Sequence, residues 1–391
     1  MFQTFKNIYH LFQAVIANIY YGFPSRKLKV IGVTGTDGKT TTTHLIYHIL
    51  KTAGKKVSMV STVYAKIGAE EFDTGLHTTT PSSFLVQKLL KKAVENGDEF
   101  FVLETTSHAL DQNRVFGVKY FVAVLTNVTH EHLDYHKTYK KYVDTKAKLL
   151  KQSNIVIINS DDHSFERLDK ILKHSVNKVY HYGFKHKTHF RLPYKKPLVE
   201  YNRYNYLAAY SVASILGIDE KNILKAMNSF KLPPGRLEVV YGKGPTVIID
   251  FAHTPNAFGS VLPEIKKHYV HNGSKLIHVF GSAGLRDKTK RPLMGKASSR
   301  YVDQIILTEE DYRTEKMEEI CRQIAAGINS KPFIVIPNRQ EAINKAMVMA
   351  RKNDVVLVTG KAHEKSLCRG KKEYPWDEFK AVNTALQIRN K

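Results

Sequence analysis

Residues 31–50, IGVTGTDGKTTTTHLIYHIL, decide how the rest of the chain is read. Ile31 to Thr34 form a short apolar, β-branched run that suits a buried strand. Gly35 and Gly38 bracket the loop that follows, which ends in Lys39 and Thr40. After it Leu45, Ile46, Ile49 and Leu50 recur at helical spacing. A strand that passes through a glycine loop into a helix points backbone N–H groups and the positive helix end at one spot, where phosphate oxygens fit. Gly35, Thr36, Asp37, Gly38, Lys39, Thr40 and Thr41 are therefore expected to hold a nucleoside triphosphate. Lys39 would reach its outer phosphates, and the Thr40 hydroxyl would face Mg²⁺. The general phosphate-loop pattern also asks for a glycine five residues before Gly38. That place is taken by Val33, so the general pattern is not met in full.

Outward from this loop, strand-like runs alternate with helical ones. KVIGVTG (29–35), KVSMVS (56–61), FFVLETT (100–106), FVAVLTNV (121–128) and NIVIINS (154–160) are the first set. Such alternation predicts an α/β fold with a mostly parallel sheet covered by helices on both faces. The weaker stretch 180–198 reads as an antiparallel addition, and 201–218 as a helix. LPPGRLE (232–238) breaks the pattern with Pro233, Pro234 and Gly235. Beyond it TVIIDFAH, KLIHVFGSAG, DQIILTEED, PFIVIP and DVVLVTGK start a second, Rossmann-like α/β pattern. The expected organisation is an amino-terminal helix in 1–28, an ATP-binding domain in 29–235 and a second α/β domain in 236–391, hinged near 233–236.

The first segment carries Ile8, Leu11, Phe12, Val15, Ile16 and Ile19 at helical spacing, closed by Gly22 and Pro24. Polar interruptions and the lack of a small-residue cleavage site argue against a signal peptide, and the run is too short in apolar residues to span a bilayer. The stripe suits a helix packed on the next domain. With Arg26, Lys27 and Lys29 beside it, it also suits a helix lying in a membrane interface. Lys plus Arg number 60 against 36 Asp plus Glu, a net charge of +24, so a polyanionic partner or substrate is expected. Cys321 and Cys368 are too few for a disulfide framework, which fits a reducing cytosol.

Several ordered blocks resemble the Mur ligase family. GTDGKTTT (35–42) is similar to its ATP loop, GTNGKT, with Asp37 in place of the usual asparagine. ETTSHALDQNRV (104–115), TNVTHEHLDYHKTYKKYVDTKAKLL (126–150), DFAHTPNAF (250–258), GSAGLRDKTKRPLMG (281–295) and TGKAHEKS (359–366) follow in the family's order. Within the family they resemble the ligases that add the third stem-peptide residue. Full-length members also carry an amino-terminal domain for the UDP end of the substrate, whereas 28 residues precede Lys29 here.

The resemblance implies an ADP-forming amide ligase of peptidoglycan precursor synthesis. ATP phosphorylates a muramoyl-peptide carboxylate, and an amino acid attacks the acyl phosphate. Lys39, Glu104, His132 and Lys146 would be the catalytic set. Thr40, Glu104, His132 and Lys146 would serve two Mg²⁺ ions, with Lys146 carbamylated. Lys148 is a nearby competitor, and His130 and His136 carry no assigned role. Asn202, Asn205, Arg236, Asp250 and His253 would complete the nucleotide site. Thr79, Thr80, Ser107, Gln112 and Arg114 would hold the acceptor.

In the family, a DNPR motif grips the distal carboxylate of meso-diaminopimelate. The matching residues are Glu310, Asp311, Tyr312 and Arg313, so the arginine is kept. Gly360 and Glu364 match positions at the distal amine, and Arg286 and Arg339 are further candidates near that pocket. Diaminopimelate is the expected amino acid, with another cationic amine, which the extra acids would suit, as the alternative, and a monomer is the expected state. A lipid-linked, polymeric or folate-type glutamyl acceptor is the alternative. A nucleic-acid-binding ATPase would suit the charge, but no zinc-finger spacing or RNP-like aromatic motif accompanies it.

Overall fold

The computed structural model describes residues 2–389 except 76–78, 130, 174, 177 and 272. The apolar runs become β1 (Lys29–Thr34), β2 (Val57–Val60), β3 (Ala65–Ile67), β4 (Glu70–Phe72), β5 (Phe100–Glu104), β6 (Tyr120–Leu125), β7 (Ser153–Asn159) and β8 (Val179–Tyr182). They form one sheet in the order β4-β3-β2-β5-β1-β6-β7-β8. β5 is buried at every position and β1 at all but its first, as expected of parallel strands covered on both faces. On one side Leu89, Leu90, Val143 and Leu150 pack against Phe101 and Ala123. On the other, Leu45, Ile49, Leu207 and Val212 pack against Ile31 and Val102.

The antiparallel addition expected in 180–198 is not there. β8 pairs parallel to β7, because the helix Phe165–Leu172 returns the chain to the same end of the sheet. The antiparallel strands are β3 and β4, at the opposite edge.

The second sheet comprises β9 (Glu238–Tyr241), β10 (Thr246–Asp250), β11 (Leu276–Phe280), β12 (Gln304–Leu307), β13 (Phe333–Val335) and β14 (Val355–Thr359). Its order is β13-β12-β11-β14-β10-β9, with β9 alone antiparallel to its neighbour. A hairpin, β15 (Ser366–Arg369) and β16 (Lys372–Pro375), follows. The chain divides into two units, Met1–Thr129 with His136–Pro233 and His130–Tyr135 with Pro234–Lys391.

Helix α1 (Phe2–Tyr20) belongs to the first unit, and its orientation reverses one expectation. Ala14, Ala17 and Asn18 are its buried residues, while Ile8, Phe12, Val15, Ile16 and Ile19 are exposed. The reason lies in the surface beneath it. The turn 113–118 offers backbone, and Asn18 Nδ2 donates to Ala14 O at 2.7 Å and Phe116 O at 2.8 Å. Asn7 Nδ2 donates to Asp111 at 3.1 Å. Small and polar residues suit that surface, so the large apolar ones turn outward.

His278 in β11 lies between the Ser298 and Thr359 hydroxyls, at 2.9 and 3.0 Å, and stacks on Phe280. Burial, helped by Arg339, pushes its ring down to about 3. The unfolded chain takes up this proton near pH 6.5 and the folded chain does not, so stability is lost as pH falls from there toward 3. Each pH unit in that window removes up to about 1.4 kcal/mol through this residue. Urea unfolding of the second unit between pH 7 and 5 should therefore show a shallower pH dependence in His278→Gln than in the parent. Equal slopes would count against a neutral ring.

Candidate active site

In the first unit the carboxyl ends of β5, β1 and β6 lie side by side, since Val33 registers with Glu104 and Thr34 with Leu125. Ligands of open α/β sheets bind outside these ends. The loop after β1 turns there into α2 (Lys39–Thr52), capped by Gly38 at φ 80°. A Cβ on Gly38 would stand 2.1 Å from Asn205 Oδ1, so only glycine lets the loop lie against the helix Glu200–Ile215. Asn205 Nδ2 in turn donates to Asn202 Oδ1 at 3.0 Å, which puts both asparagines beside the loop.

Glu104 is buried at the end of β5. Its carboxylate accepts from the Thr40 hydroxyl, the Thr62 N–H and the Thr62 hydroxyl, each at 3.0 Å. Hard oxygen donors from Thr40 and Glu104 beside a glycine loop fit Mg²⁺ and phosphate. Lys39 Nζ donates to Thr36 O at 2.7 Å, within its own loop. The Asp37 carboxylate accepts from the Thr129 hydroxyl at 3.4 Å, and its backbone carbonyl accepts from Thr126 and Asn127. Thr36 is fixed by Asn127 O and Tyr142, and Thr41 is buried in the first turn of α2.

Lys146, in the helix Tyr139–Lys151, is buried. Its Nζ donates to Gly35 O at 2.6 Å and sits 4.5 Å from the Tyr142 ring centroid. Lys148 instead meets Asp111 at 3.5 Å. Of the acceptor candidates, Ser107 shares a 3.0 Å hydrogen bond with His136, whose ring is pushed down to about 4 by burial and by Lys146. Arg114 donates to Thr80 O at 2.5 Å, and the Thr80 hydroxyl donates to Glu104 O at 3.1 Å. Thr80, Glu104 and Arg114 are thus brought together. Thr79 is half-buried next to them in sequence, and Gln112 ends the short helix Ser107–Asp111. His130 lies outside the described residues.

His132 falls in the short stretch grouped with the second unit, and its Nε2 is 3.7 Å from the Glu131 carboxylate. His253 Nε2 is 3.5 Å from the other oxygen of Glu131. Burial would raise Glu131, but His132, His253 and Lys290 outweigh it and hold the carboxyl well below its usual range. Burial would likewise lower His253, yet the Glu131 contact raises it. Asp250 is engaged by backbone: Leu237 N–H and Ala252 N–H donate to it at 2.8 and 2.7 Å. It braces the loop at Arg236, whose guanidinium lies 4.6 Å from the Phe251 ring centroid.

The expected amino-acid pocket divides into occupied and open groups. Asp311 is engaged within the protein: buried Lys361 donates to it at 2.8 Å and Cys368 N–H at 2.9 Å. Lys361 also donates to Glu364. Arg339 is likewise engaged within the protein. Fully buried, it pairs with Glu378 and donates to Glu309 O and Thr359 O. Arg286 is exposed on the loop before Asp287. By contrast, Glu310 Oε2 is buried with no hydrogen-bond partner among the described residues, 2.9 Å from where a Cβ on Gly360 would stand. Arg313 is half-buried at φ 53°, pinned to the hairpin through Cys368 O and Gly370 N–H, and donates to Gly284 O at 2.6 Å.

Sequence reasoning missed Thr62, Asn127, Glu131, Lys290 and Lys361. Thr126-Asn127 directly after a buried strand was the available signal for the loop's buttress. Lys361, between a buried strand and Glu364, was the signal for an internal cation. Among the described residues no group of three or more His, Cys, Asp and Glu stands ready to hold a metal ion.

The Mur ligase middle domain matches residues 33–196, and the Mur ligase glutamate ligase domain matches residues 235–362. The chain belongs to the Mur ligase family, whose members join an acid to an amino acid at the expense of ATP. More particularly, it is 39% identical over 393 residues to the UDP-N-acetylmuramoyl-L-alanyl-D-glutamate–2,6-diaminopimelate ligase of Aquifex aeolicus, covering 95% of this chain and 80% of that one. The enzyme of the same name from Clostridium botulinum is 35% identical, with 96% and 81% covered. A solved structure of such a diaminopimelate ligase superposes with a TM-score of 0.60 at 29% identity, covering 93% of this chain and 79% of that one. The folylpolyglutamate/dihydrofolate synthase of Yersinia pestis with AMPPNP and Mn shares the fold, with a TM-score of 0.70 at 20% identity over 90% of this chain and 91% of its own.

Because Gly38 has no room for a side chain, Gly38→Ala should weaken ADP and ATP binding by about tenfold or more while the far-ultraviolet spectrum stays unchanged. Calorimetric titration decides it, and unaltered affinity would place the nucleotide elsewhere.

Proposed function

We propose that residues 29–235 bind ATP and phosphorylate the terminal carboxylate of a muramoyl dipeptide. Residues 236–391 present meso-diaminopimelate, whose amine displaces the phosphate to give an amide. The observation that carries this reading is the Thr40–Glu104 pair at the mouth of the glycine loop, with Arg114 and Thr80 beside it. Mg²⁺ held by Thr40 and Glu104 would neutralise charge on the outer phosphates. Lys39 would supply a cation to the transferring group, and transfer between anions depends chiefly on such placement. Arg114 suits the acceptor's anionic end, since its planar fork donates to carboxylates. Arg313 plays the same part for the distal carboxylate of the amino acid. Glu310, with its unpaired oxygen, takes an ammonium.

The deciding assay couples ADP release to the mass of the product. UDP-linked and nucleotide-free muramoyl dipeptides are paired with diaminopimelate or lysine. Diaminopimelate should be incorporated and lysine poorly. Lys39→Ala and Glu104→Ala should each lower kcat by about 10²-fold or more. Arg313→Ala should raise KM for diaminopimelate about 30-fold or more and leave lysine unaffected. Wild-type turnover with lysine alone would overturn the amino-acid assignment, and undiminished ligation by Glu104→Ala the metal role.

We further propose that a carbamylated Lys146 serves a second Mg²⁺. The support is a buried lysine reaching the phosphate loop, where an ammonium turned into an anion could ligate a metal. Protein equilibrated with ¹³C-bicarbonate should show a carbamate resonance that is lost in Lys146→Ala. A spectrum without it removes the carbamate.

A further inference from the structure

Helix α1 is amphipathic in the reverse sense for a packed helix. Its buried side is Ala14, Ala17 and Asn18, and its outer side is large and apolar, with Phe12 63%, Ile16 54% and Ile19 64% exposed. Ile8 and Val15 complete the stripe, flanked by exposed Tyr9 and Tyr20. Phe116, whose carbonyl receives Asn18, is exposed as well, and so is Phe84 on the neighbouring α3 (Ser83–Glu95). A contiguous apolar face of this kind marks a surface that something covers.

Charge identifies the cover. No Asp or Glu occurs before Asp37, while Lys6, Arg26 and Lys27 do; Lys29 is met by Glu99 at 2.8 Å and is not counted with them. Arg26, Lys27 and, on α3, Lys88 are exposed. A second copy would set these cations against themselves, whereas an anionic lipid surface complements them. No helix among the described residues is long and apolar enough to cross a membrane, so the fit is to the interface. Tyr and Phe rings suit the headgroup boundary, with the stripe lying in the acyl margin. We infer that α1 docks this ligase on an anionic lipid leaflet, its axis parallel to the membrane plane. The fold of the first unit holds the helix from behind through Asn7 and Asn18, so docking needs no refolding.

The test is co-sedimentation of the full chain with vesicles of phosphatidylcholine alone or with phosphatidylglycerol added. Phe12→Glu/Ile16→Glu, altered only at exposed positions, is the comparison. The parent should pellet with the anionic vesicles and be released by high salt. The double variant should partition about tenfold less, with its ligation rate in solution unchanged. That rate, measured on the same preparations, keeps failure of docking distinct from failure of the proposed reaction. Three results would each overturn the inference: a parent that stays in the supernatant, equal partitioning of parent and variant, or sedimentation velocity showing a lipid-free dimer that the variant dissolves.

Discussion

The Glu104 carboxylate holds the first unit's chemistry in place. It is buried at the end of β5 and accepts from three donors on two other segments. Thr40 brings the first turn of α2, and Thr62 brings the chain that leaves β2. A buried carboxylate without such donors would be strongly disfavoured, so the three bonds make its position affordable and fix the loop around it. Thr80 adds a further tie by bonding the Glu104 carbonyl, which joins its own segment to the same strand end. The first turn of α2, the chain after β2 and the segment at Thr80 are therefore tied to one strand end.

The second unit solves a similar problem with cations. Arg339 and Lys361 are fully buried, and each is met by carboxylates: Glu378 for the arginine, Asp311 and Glu364 for the lysine. Arg369 closes on Glu309 from the hairpin. These pairings consume most of the charge near the expected amino-acid pocket. Outside these pairings stand Glu310 Oε2, without a hydrogen-bond partner among the described residues, the Arg313 guanidinium, which donates to Gly284 O, and exposed Arg286.

Much of this was legible in the residues. Local pattern marks the strands because both faces of a parallel sheet are buried, and the Gly-x-x-Gly-Lys-Thr loop with its following helix is a local feature too. Glu104 was visible as an acid closing an apolar run. Long-range pairing was not. Nothing within the Asp311 neighbourhood announces that Lys361, fifty residues later, neutralises it. The same holds for Arg339, whose partner Glu378 sits in the last helix. Helix α1 misled for a related reason. Its periodicity gives the apolar side, but which side faces inward depends on the backbone of turn 113–118, far away in sequence.

The pairing of Arg339 with Glu378 also has a temporal side. Glu378 opens the helix Glu378–Arg389, 39 residues after Arg339, so the ribosome releases the arginine well before its partner. Until then the guanidinium destined for the interior lacks the carboxylate that bonds it, and a buried charge deprived of its partner costs about 3–5 kcal/mol. The second unit lacks that carboxylate for as long as the 39 residues between the two partners are being made. A chain cut short before this helix would carry an unsatisfied arginine at its centre, a defect that quality-control proteases meet as persistent local unfolding.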